Sequence, residues 1–382
     1  MGILRLWLAV AVAIGHAGPG VLPFPLDGNL AVSCFYVISG FYIQLIIREN
    51  YSGKRHWVAN FYKSRALRIY PLYYFFTIVS LPFALQSDNF REAVASGNVW
   101  TLLYMVWMNL FIFGQEIARF LTLVNGALVI SWPLPLDPHF LSAQQVLTVV
   151  GIGQSWSLAV EFWFYLVAPL LLLRRTRTVV AILVCSLAVR GLIEFSFGDG
   201  TWTRWWNHFF PSELATFLAG SLGYRFYAGY WTGRWRGWGF LALILYYSVT
   251  YPDFRPYHVA TSYFGAIVLV ALALPFLFSA SRHSRIDRFI GELSYPVYLN
   301  HFLFVQLLTT FTSIQPKWYS LIVVPCSILL AIPMVILVEE PLARYRHFRF
   351  ARKRTDGDLA PAAPTTGTIE DPGQAGAPSN KN

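Results

Sequence analysis

A histidine and an arginine near the amino terminus have the residue types and the spacing for group transfer beside an anionic ligand. His16 follows Arg5 by eleven residues in an apolar run, and eleven steps of 100° come within about 20° of three full turns. The two side chains therefore share one helix face, roughly 16 Å apart along the axis. An unperturbed imidazole, with a pKa near ~6.5, is suited to general-base catalysis near neutral pH. The alternative is an arginine that reaches the membrane surface and a histidine that is hydrogen-bonded within a helix bundle.

Two more arginines, Arg65 and Arg68, begin a later apolar run and are i,i+3 neighbours on one helix face. Paired guanidinium groups bind phosphate oxygens in a bidentate manner. The pair is a candidate anion-binding site, although basic residues also flank ordinary membrane spans.

Acidic side chains inside apolar runs are a third group of candidates, because a charge within a membrane is costly and often functional. Ser157, Glu161 and Tyr165 lie at i, i+4 and i+8 and form a polar stripe on an otherwise apolar helix. Glu339 lies at the end of the last apolar run, beside a basic segment in which Arg344 could pair with it. Each carboxylate is either part of a site or hydrogen-bonded to a neighbouring helix for structural reasons.

Other charged residues in apolar runs are Arg190, Glu194 and Glu213. Arg190 and Glu194 are spaced i,i+4, which predicts an ion pair within one helix. Glu213 is a separate buried candidate.

The composition indicates which elements must position these residues. Of the 382 residues, 56% are hydrophobic and only 13% are charged, about half the charge of an ordinary soluble domain. A soluble fold of this size could not cover its surface, so the chain is predicted to be a multi-pass protein of the cytoplasmic (inner) membrane. The three cysteines lack CxxC spacing, and we expect neither a disulfide framework nor a metal site.

Apolar runs long enough to cross a hydrocarbon core of ~30 Å recur along the chain. The predicted fold class is an all-α transmembrane helix bundle of about 10–12 spans. The candidate spans are residues 4–17, 28–47, 66–85, 99–114, 155–173, 178–195, 209–228, 237–251, 259–279, 293–314 and 319–338, with a weaker one at 119–132.

The basic residues predict the orientation of these spans. Of 29 lysines and arginines, 22 fall into alternate connections on one side, which the positive-inside rule assigns to the cytoplasm together with both termini. The net charge of +10 is therefore explained by the orientation of the spans in the membrane, and no nucleic-acid partner is expected. The basic segment after residue 173 reaches the cytoplasm only if an extra short span or a re-entrant helix crosses near 119–132.

We place the transmembrane domain at 1–345 and a basic, then disordered, cytoplasmic tail at 346–382.

Six motifs in a fixed order resemble those of membrane-bound acyltransferase family 3, the integral-membrane O-acyltransferases of envelope polysaccharides. The resemblance covers residues 1–345. The motifs are Arg5-x10-His16, Phe35-Tyr-Val-Ile-Ser39-Gly40, Arg65-x2-Arg68-Ile-Tyr-Pro, Trp156-Ser157-Leu-x2-Glu161-x3-Tyr165, Gly291-x-Leu-Ser294-Tyr295-x2-Tyr298-Leu-x-His301 and Glu339-x-Pro341.

The resemblance implies transfer of an acyl group, usually acetyl, from cytoplasmic acetyl-CoA or another acyl-CoA to a hydroxyl of an extracytoplasmic sugar. It implies that His16 is essential, as general base or as transient acyl carrier, and that Arg5, Arg65 and Arg68 bind the donor. Glu161 or Glu339 is expected to orient His16. Family members commonly have two acidic residues where this chain has Glu161 followed by Phe162. The remaining motif residues are expected to serve the substrate or the structure, namely Ser39, Trp156, Ser157, Tyr165, Ser294, Tyr295, Tyr298 and His301.

The expected partners are acyl-CoA, membrane lipid and a glycan acceptor such as exopolysaccharide, lipopolysaccharide or a lipo-oligosaccharide. A macrolide or another small molecule is an alternative acceptor. Trp202, Trp205 and Trp206 are candidates for stacking on sugar rings, an interfacial aromatic belt being the alternative. A polytopic exporter of a glycan or lipid, or a receptor or assembly scaffold, would also place polar residues inside the bundle. Nothing in the sequence predicts the oligomeric state.

Overall fold

The computed structural model describes residues 1–22, 26–53, 55–130, 151–197, 207–229, 234–254 and 259–350. Within these ranges the chain is predominantly helical, which confirms the predicted all-α polytopic bundle. The helices are α1 (Gly2–Ala17), α2 (Gly28–Ile46), α3 (Trp57–Gln86), α4 (Asp88–Ser96), α5 (Val99–Phe111), α6 (Trp156–Leu171), α7 (Thr176–Phe197), α8 (Phe210–Gly229), α9 (Arg234–Phe254), α10 (Val259–Ser281), α11 (Arg285–Phe311), α12 (Tyr319–Met334) and α13 (Glu340–Phe350).

Five helical segments are long and apolar enough to cross a membrane. Their outward faces carry large apolar side chains in contact with the surroundings, such as Phe195 and Leu337, which are 90% and 69% exposed. Lipid satisfies such faces, whereas water would not. The five segments are Gly28–Tyr51, Trp57–Gln86, Thr176–Ser196, Ser262–Ser281 and Pro316–Phe350. The total number of spans and the side on which the termini lie remain predictions.

The prediction of a short span or re-entrant helix at 119–132 is wrong for residues 119–130. This stretch forms the end of a short 3-10 turn and then an antiparallel hairpin, β1 (Leu121–Val124) with β2 (Ala127–Ile130). The turn is Asn125-Gly126, and both residues have positive φ, 50° and 76°. An Asn-Gly pair between apolar residues is a strong hairpin signal, because a type I′ turn needs positive φ at both positions.

The extra span was predicted so that the chain after residue 173 would return to the end of the bundle where α3 begins. Two half-length helices, α5 and α6, provide this return instead. The hydroxyl groups of Tyr70, Tyr73 and Tyr74, near the middle of α3, donate hydrogen bonds to carbonyl groups of residues 109–111 at 2.7–2.9 Å. These carbonyls belong to the last turn of α5 and lack partners within the helix. The tyrosines therefore let α5 end beside the middle of α3 with its terminal carbonyls hydrogen-bonded.

The second half-helix, α6, continues along the other half of α3. Tyr62 donates to the Leu166 carbonyl at 2.8 Å, and the start of α6 is tied to the end of α5 by the Gly151 amide, which donates to Asn109 Oδ1 at 2.9 Å. Together α5 and α6 extend along the 30-residue α3 as two half-length helices. This arrangement brings the chain after α6 to the same end of the bundle as the start of α3.

Close backbone contact fixes the register between α1 and α11. A Cβ on Gly2 would lie 1.6 Å from the Asp287 carbonyl oxygen, so only glycine allows this approach. The Asp287 carboxylate accepts hydrogen bonds from the amides of Gly2 and Ile3, at 2.8 and 3.1 Å, and so caps α1. The two helices run parallel from this contact, with residue 2 opposite residue 287.

Residues beyond 345 were predicted to leave the membrane domain as a basic and then disordered tail. The described part of that segment, up to Phe350, instead continues the last helix α13. A π turn, Val335–Glu339, joins α12 to α13 without a break. The predicted tail from 351 onward lies outside the described residues.

Candidate functional site

A cavity of about 540 Å³ lies among α1, α2, α3, α6 and α11, with α13 and the end of α10 at its margin. Its lining is strongly cationic. Described arginines outnumber described carboxylates in this lining by six to three; the arginines are Arg5, Arg65, Arg68, Arg282, Arg288 and Arg346, and the acidic residues are Glu161, Asp287 and Glu292. Such a surface suits a ligand with several negative charges.

Arg68 is held in this lining by an ion pair with Glu339. The Arg68 side chain is 18% exposed and that of Glu339 only 3%. Glu339 is the last residue of the π turn after α12, a type of helix irregularity that is frequent at functional sites. The Arg68 guanidinium also lies 5.6 Å from the ring centroid of Tyr295, whose hydroxyl donates to the Ile69 carbonyl at 2.7 Å. These contacts fix the guanidinium toward the cavity.

Glu161 lies on the cavity wall and is held by two hydroxyl groups. Ser39 Oγ donates to Glu161 Oε1 at 2.5 Å, and the hydroxyl of Tyr165 donates to the same oxygen at 2.7 Å. The i,i+4 stripe predicted on α6 is thus present, and the Glu161–Tyr165 hydrogen bond lies along it.

Tyr298 closes the inner end of the cavity. Its hydroxyl group donates to the Gln154 carbonyl at 2.8 Å and shares a 2.6 Å hydrogen bond with Ser157 Oγ. Gln154 Nε2 in turn donates to the carbonyls of Tyr298 and Leu299 at 3.1 and 3.0 Å. This buried network ties the start of α6 to the middle of α11, between the cavity and the histidines beyond it.

Two histidines, His16 and His301, lie beyond Tyr298 and are hydrogen-bonded to each other. His301 Nε2 is 3.0 Å from His16 Nδ1, and the ring centroids are 5.0 Å apart. His301 is fully buried and its ring is 5.9 Å from that of Tyr298, whereas His16 is exposed. His16 occupies the last turn of α1, which ends at Gly18 with φ 85°, so it lies at the opposite end of the helix from Arg5.

The expectation that Glu161 or Glu339 orients His16 is wrong. Glu161 binds Ser39 and Tyr165, and Glu339 binds Arg68, while the hydrogen-bond partners of His16 are the Val12 carbonyl and His301. Sequence spacing could not show this, because the contact depends on the register between α1 and α11.

Most of the predicted site residues meet in one place. Ten of them line the cavity: Arg5, Ser39, Arg65, Arg68, Ser157, Glu161, Tyr165, Ser294, Tyr295 and Tyr298. Glu339 pairs with Arg68 but is not part of the lining, and the two histidines lie beyond Tyr298. Ser294 is buried, and its hydroxyl donates to the Gly291 carbonyl at 2.7 Å.

Trp156 does not line the cavity. Its ring lies against that of His208, with centroids 3.8 Å apart, and the Arg119 guanidinium is 5.8 Å from the ring centroid. Its exposed fraction is only 4%. Trp202, Trp205 and Trp206, the candidates for sugar stacking, lie outside the described residues.

Sequence reasoning missed several cavity residues. Arg282, Arg288 and Arg346 line it, although their positions were interpreted only as markers of the cytoplasmic side. Gln154, which is buried outside the cavity lining and binds the backbone of α11, was not singled out because a lone glutamine near a helix start carries no chemical signature. A basic residue next to a span can mark topology and bind a ligand at once, and only the fold separates the two.

A second charged cluster lies in the bundle outside the cavity. Arg190 Nη2 pairs with Glu213 Oε1 at 2.9 Å, across α7 and α8, which corrects the predicted helical pair with Glu194. Glu213 also accepts hydrogen bonds from Ser33 Oγ at 3.1 Å and Thr216 Oγ1 at 2.9 Å.

The comparison with known protein families agrees with these observations. Residues 1–339 match the acyltransferase domain of acyltransferase family 3. No curated protein and no solved structure gives a match. A match over most of the chain, joined to a helix bundle with several apolar spans, shows that the protein belongs to the membrane-bound acyltransferase family 3.

Proposed function

We propose that the protein transfers an acyl group, acetyl in the first instance, from cytoplasmic acyl-CoA to a hydroxyl group of a sugar on the other side of the inner membrane. One observation carries this proposal: α1 presents Arg5 to the cationic cavity at one end and His16 at the other. The same helix thus links an anion-binding region to a base.

The cavity supports acyl-CoA as the donor. Coenzyme A carries several negative phosphate charges, and arginine is the side chain best suited to bind phosphate oxygens in pairs. The cavity volume of about 540 Å³ is within the range of small-molecule pockets, about 300–1,000 Å³. Arg5, Arg65 and Arg68 are proposed to hold the phosphates, with Arg346 as a further contact.

Reaction requires that the acyl end of the donor pass from the cavity to His16. Tyr298 lines the cavity with its ring 5.9 Å from that of His301, and Ser157, also in the lining, is hydrogen-bonded to the Tyr298 hydroxyl, so the acyl chain is proposed to pass these two side chains. The hydrogen bond between Tyr298 and Ser157 breaks in this proposal when the acyl chain enters. The buried position of this network keeps water away from the thioester before an acceptor is bound.

The proposed chemistry uses the lone pair on Nε2 of His16. As a general base, Nε2 takes the proton of the acceptor hydroxyl while that oxygen attacks the thioester carbonyl carbon. The carbon–sulfur bond breaks, and the departing thiolate of coenzyme A takes the proton back from the imidazolium. As a nucleophile, Nε2 attacks the thioester carbonyl carbon, and the carbon–sulfur bond breaks to release the thiolate. The acceptor hydroxyl oxygen then attacks the same carbon, the carbon–Nε2 bond breaks, and the hydroxyl proton passes through the freed Nε2 to the thiolate.

A single-turnover experiment separates the two routes. Purified protein is mixed with acyl-CoA that is radiolabelled in the acyl group, without acceptor, and quenched within one turnover. Label that remains on the protein and is lost in His16→Ala identifies the covalent route. Absence of protein-bound label, with transfer restored on adding acceptor, identifies the general-base route.

The test of the proposed function is the rate of acyl transfer in proteoliposomes by His16→Ala. We expect turnover to be abolished while acetyl-CoA binding and the thermal stability of the protein remain at wild-type levels. His283→Ala is the matched control, because His283 is exposed and does not line the cavity. Wild-type transfer by His16→Ala would show that the proposal is wrong.

The acceptor is proposed to be a surface or secreted glycan, namely exopolysaccharide, lipopolysaccharide or a lipo-oligosaccharide. Mass spectrometry of the envelope glycans of a deletion strain, with and without a plasmid copy of the gene, identifies the modified sugar. An unchanged glycan profile together with a missing acyl group on a small molecule, such as a macrolide, would contradict the sugar acceptor.

A further inference from the structure

The hydrogen bonds around His301 determine which of its ring nitrogens carries the proton. His301 Nδ1 is 3.1 Å from the Val297 carbonyl oxygen, which can only accept a hydrogen bond. Nδ1 of His301 is therefore the protonated nitrogen. In the neutral ring, Nε2 is then an acceptor, and it lies 3.0 Å from His16 Nδ1.

The protonation of His301 in turn determines which ring nitrogen of His16 carries a proton. Because His301 Nε2 accepts, the donor across the 3.0 Å contact is the Nδ1–H group of His16. The Val12 carbonyl, at 3.1 Å from the same nitrogen, is a second acceptor for that proton. We infer that His301 is a positioning residue that holds His16 as its Nδ1–H tautomer and thereby leaves Nε2 as the free basic nitrogen.

Burial favours a neutral His301. The residue is fully buried, and its ring is hydrogen-bonded to the Val297 carbonyl and to His16, neither of which is a carboxylate. A buried imidazolium without a carboxylate beside it would be costly. His301 thus takes the place that an aspartate holds in a serine–histidine–aspartate triad, but it orients the base by a neutral hydrogen bond.

The register of α1 on α11 explains why these two histidines meet. Gly2 contacts Asp287 and His16 contacts His301, and both pairs are 285 residues apart in the chain. Fourteen residues on each helix separate the two contacts, which is close to four turns, so they lie on nearly the same face. The carboxylate that caps α1 and the histidine that orients the base are therefore parts of one helix pairing.

This inference rests on the proposed role of His16, and substitutions of His301 test it. His301→Leu removes the acceptor, and His301→Gln restores one, because the side-chain carbonyl of glutamine can accept from His16 Nδ1–H. We expect kcat to fall about 100-fold or more in His301→Leu, as is usual when a reacting group is misplaced by ~1 Å. The KM for acetyl-CoA should stay unchanged, and His301→Gln should recover much of kcat.

The tautomer itself can be measured without turnover. In protein labelled with 15N-histidine, the His16 signals are identified among the eight histidines by their absence in His16→Ala. We expect the chemical shift of a protonated Nδ1 and an unprotonated Nε2 in the wild type and in His301→Gln. In His301→Leu the Val12 carbonyl is the remaining acceptor for Nδ1–H, and we expect a larger share of the Nε2–H tautomer than in the wild type.

The outcomes distinguish this inference from the proposed function. If His16→Ala is inactive but His301→Leu keeps the wild-type kcat, or if wild-type His16 is protonated at Nε2, the role of His301 is wrong and that of His16 stands. If His16→Ala keeps its activity, the proposed function itself fails. Should His301→Leu not fold, the wild-type spectrum alone still decides the tautomer.

Discussion

Two arginine–glutamate pairs lie in the described part of the bundle, and their surroundings differ. Arg68 and Glu339 border the cavity, and the arginine side chain is 18% exposed. Arg190 and Glu213 lie between packed helices, with side chains 2% and 0% exposed. The same two residue types thus form one pair that a ligand can reach and one that it cannot.

The enclosed pair is satisfied by neutral neighbours. Glu213 accepts hydrogen bonds from Ser33 and Thr216, and the Arg190 guanidinium lies about 6 Å from the ring centroids of Tyr263 and Phe264, at 6.0 and 5.8 Å. These contacts offset part of the desolvation cost of the two charges. A charge inside an apolar run is therefore not sufficient evidence for a catalytic or binding role.

The largest expected effect on stability comes from breaking the enclosed pair. Arg190→Met leaves Glu213 buried without its cation, and we expect the free energy of unfolding to fall by about 3–5 kcal/mol. Thermal unfolding in detergent measures the change. The double variant Arg190→Met/Glu213→Gln removes both charges and should recover most of the lost stability. A double variant that is no more stable than Arg190→Met would show that the ion pair is not the cause.

Breaking the cavity pair should instead affect the donor. Arg68→Gln removes a guanidinium that faces the cavity, and a charge-assisted hydrogen bond contributes about 1.5–3 kcal/mol, or about 10–100-fold in acetyl-CoA affinity. The loss of stability should be smaller than in Arg190→Met, because the Arg68 side chain is 18% exposed and its charge is already partly solvated, whereas that of Arg190 is 2% exposed. Isothermal titration and thermal unfolding on the same preparation compare the two effects. An Arg68→Gln protein that binds acetyl-CoA normally would exclude this arginine from the donor site.

The smallest expected effect is at the margin of the cavity. Arg346→Gln should weaken acetyl-CoA binding several-fold, and the salt dependence of binding should become less steep, because one fewer cationic side chain then contributes to the attraction that ions screen. Arg344→Gln is a close control, since Arg344 is exposed on the same helix and does not line the cavity. Equal salt dependence in the two variants would place Arg346 outside the donor site.

Much of the candidate site could be predicted from the sequence, because its residues recur at helical spacings in an ordered set of motifs. Arg65 and Arg68 are neighbours on one helix, and so are Glu161 and Tyr165, whatever the rest of the fold does. The orienting partner of His16 could not be predicted, since His301 belongs to another helix and its distance depends on the register between the two. The pairing of Arg190 with Glu213 rather than Glu194 was missed for the same reason.

The hairpin at 121–130 shows the opposite case, in which a local signal was present. Asn125-Gly126 between apolar residues indicates a two-residue turn, but the hydropathy of the stretch and the count of basic loops favoured a span. The chain returns along α3 by another route, because α5 ends beside the tyrosines of α3 and α6 continues from there. Hydropathy records how apolar a stretch is, and it does not say how many helices make up one crossing.

The sequence by itself determined the class of the protein, because scarce charge and long apolar runs leave only a membrane helix bundle, and the ordered motifs indicate the family. The tertiary structure alone decided which polar residues share a cavity, which pair is enclosed, and which residue of another helix is hydrogen-bonded to His16. The physical reason is that helical spacing fixes neighbours within one helix, whereas neighbours between helices depend on close packing at a few small residues, such as Gly2 against α11.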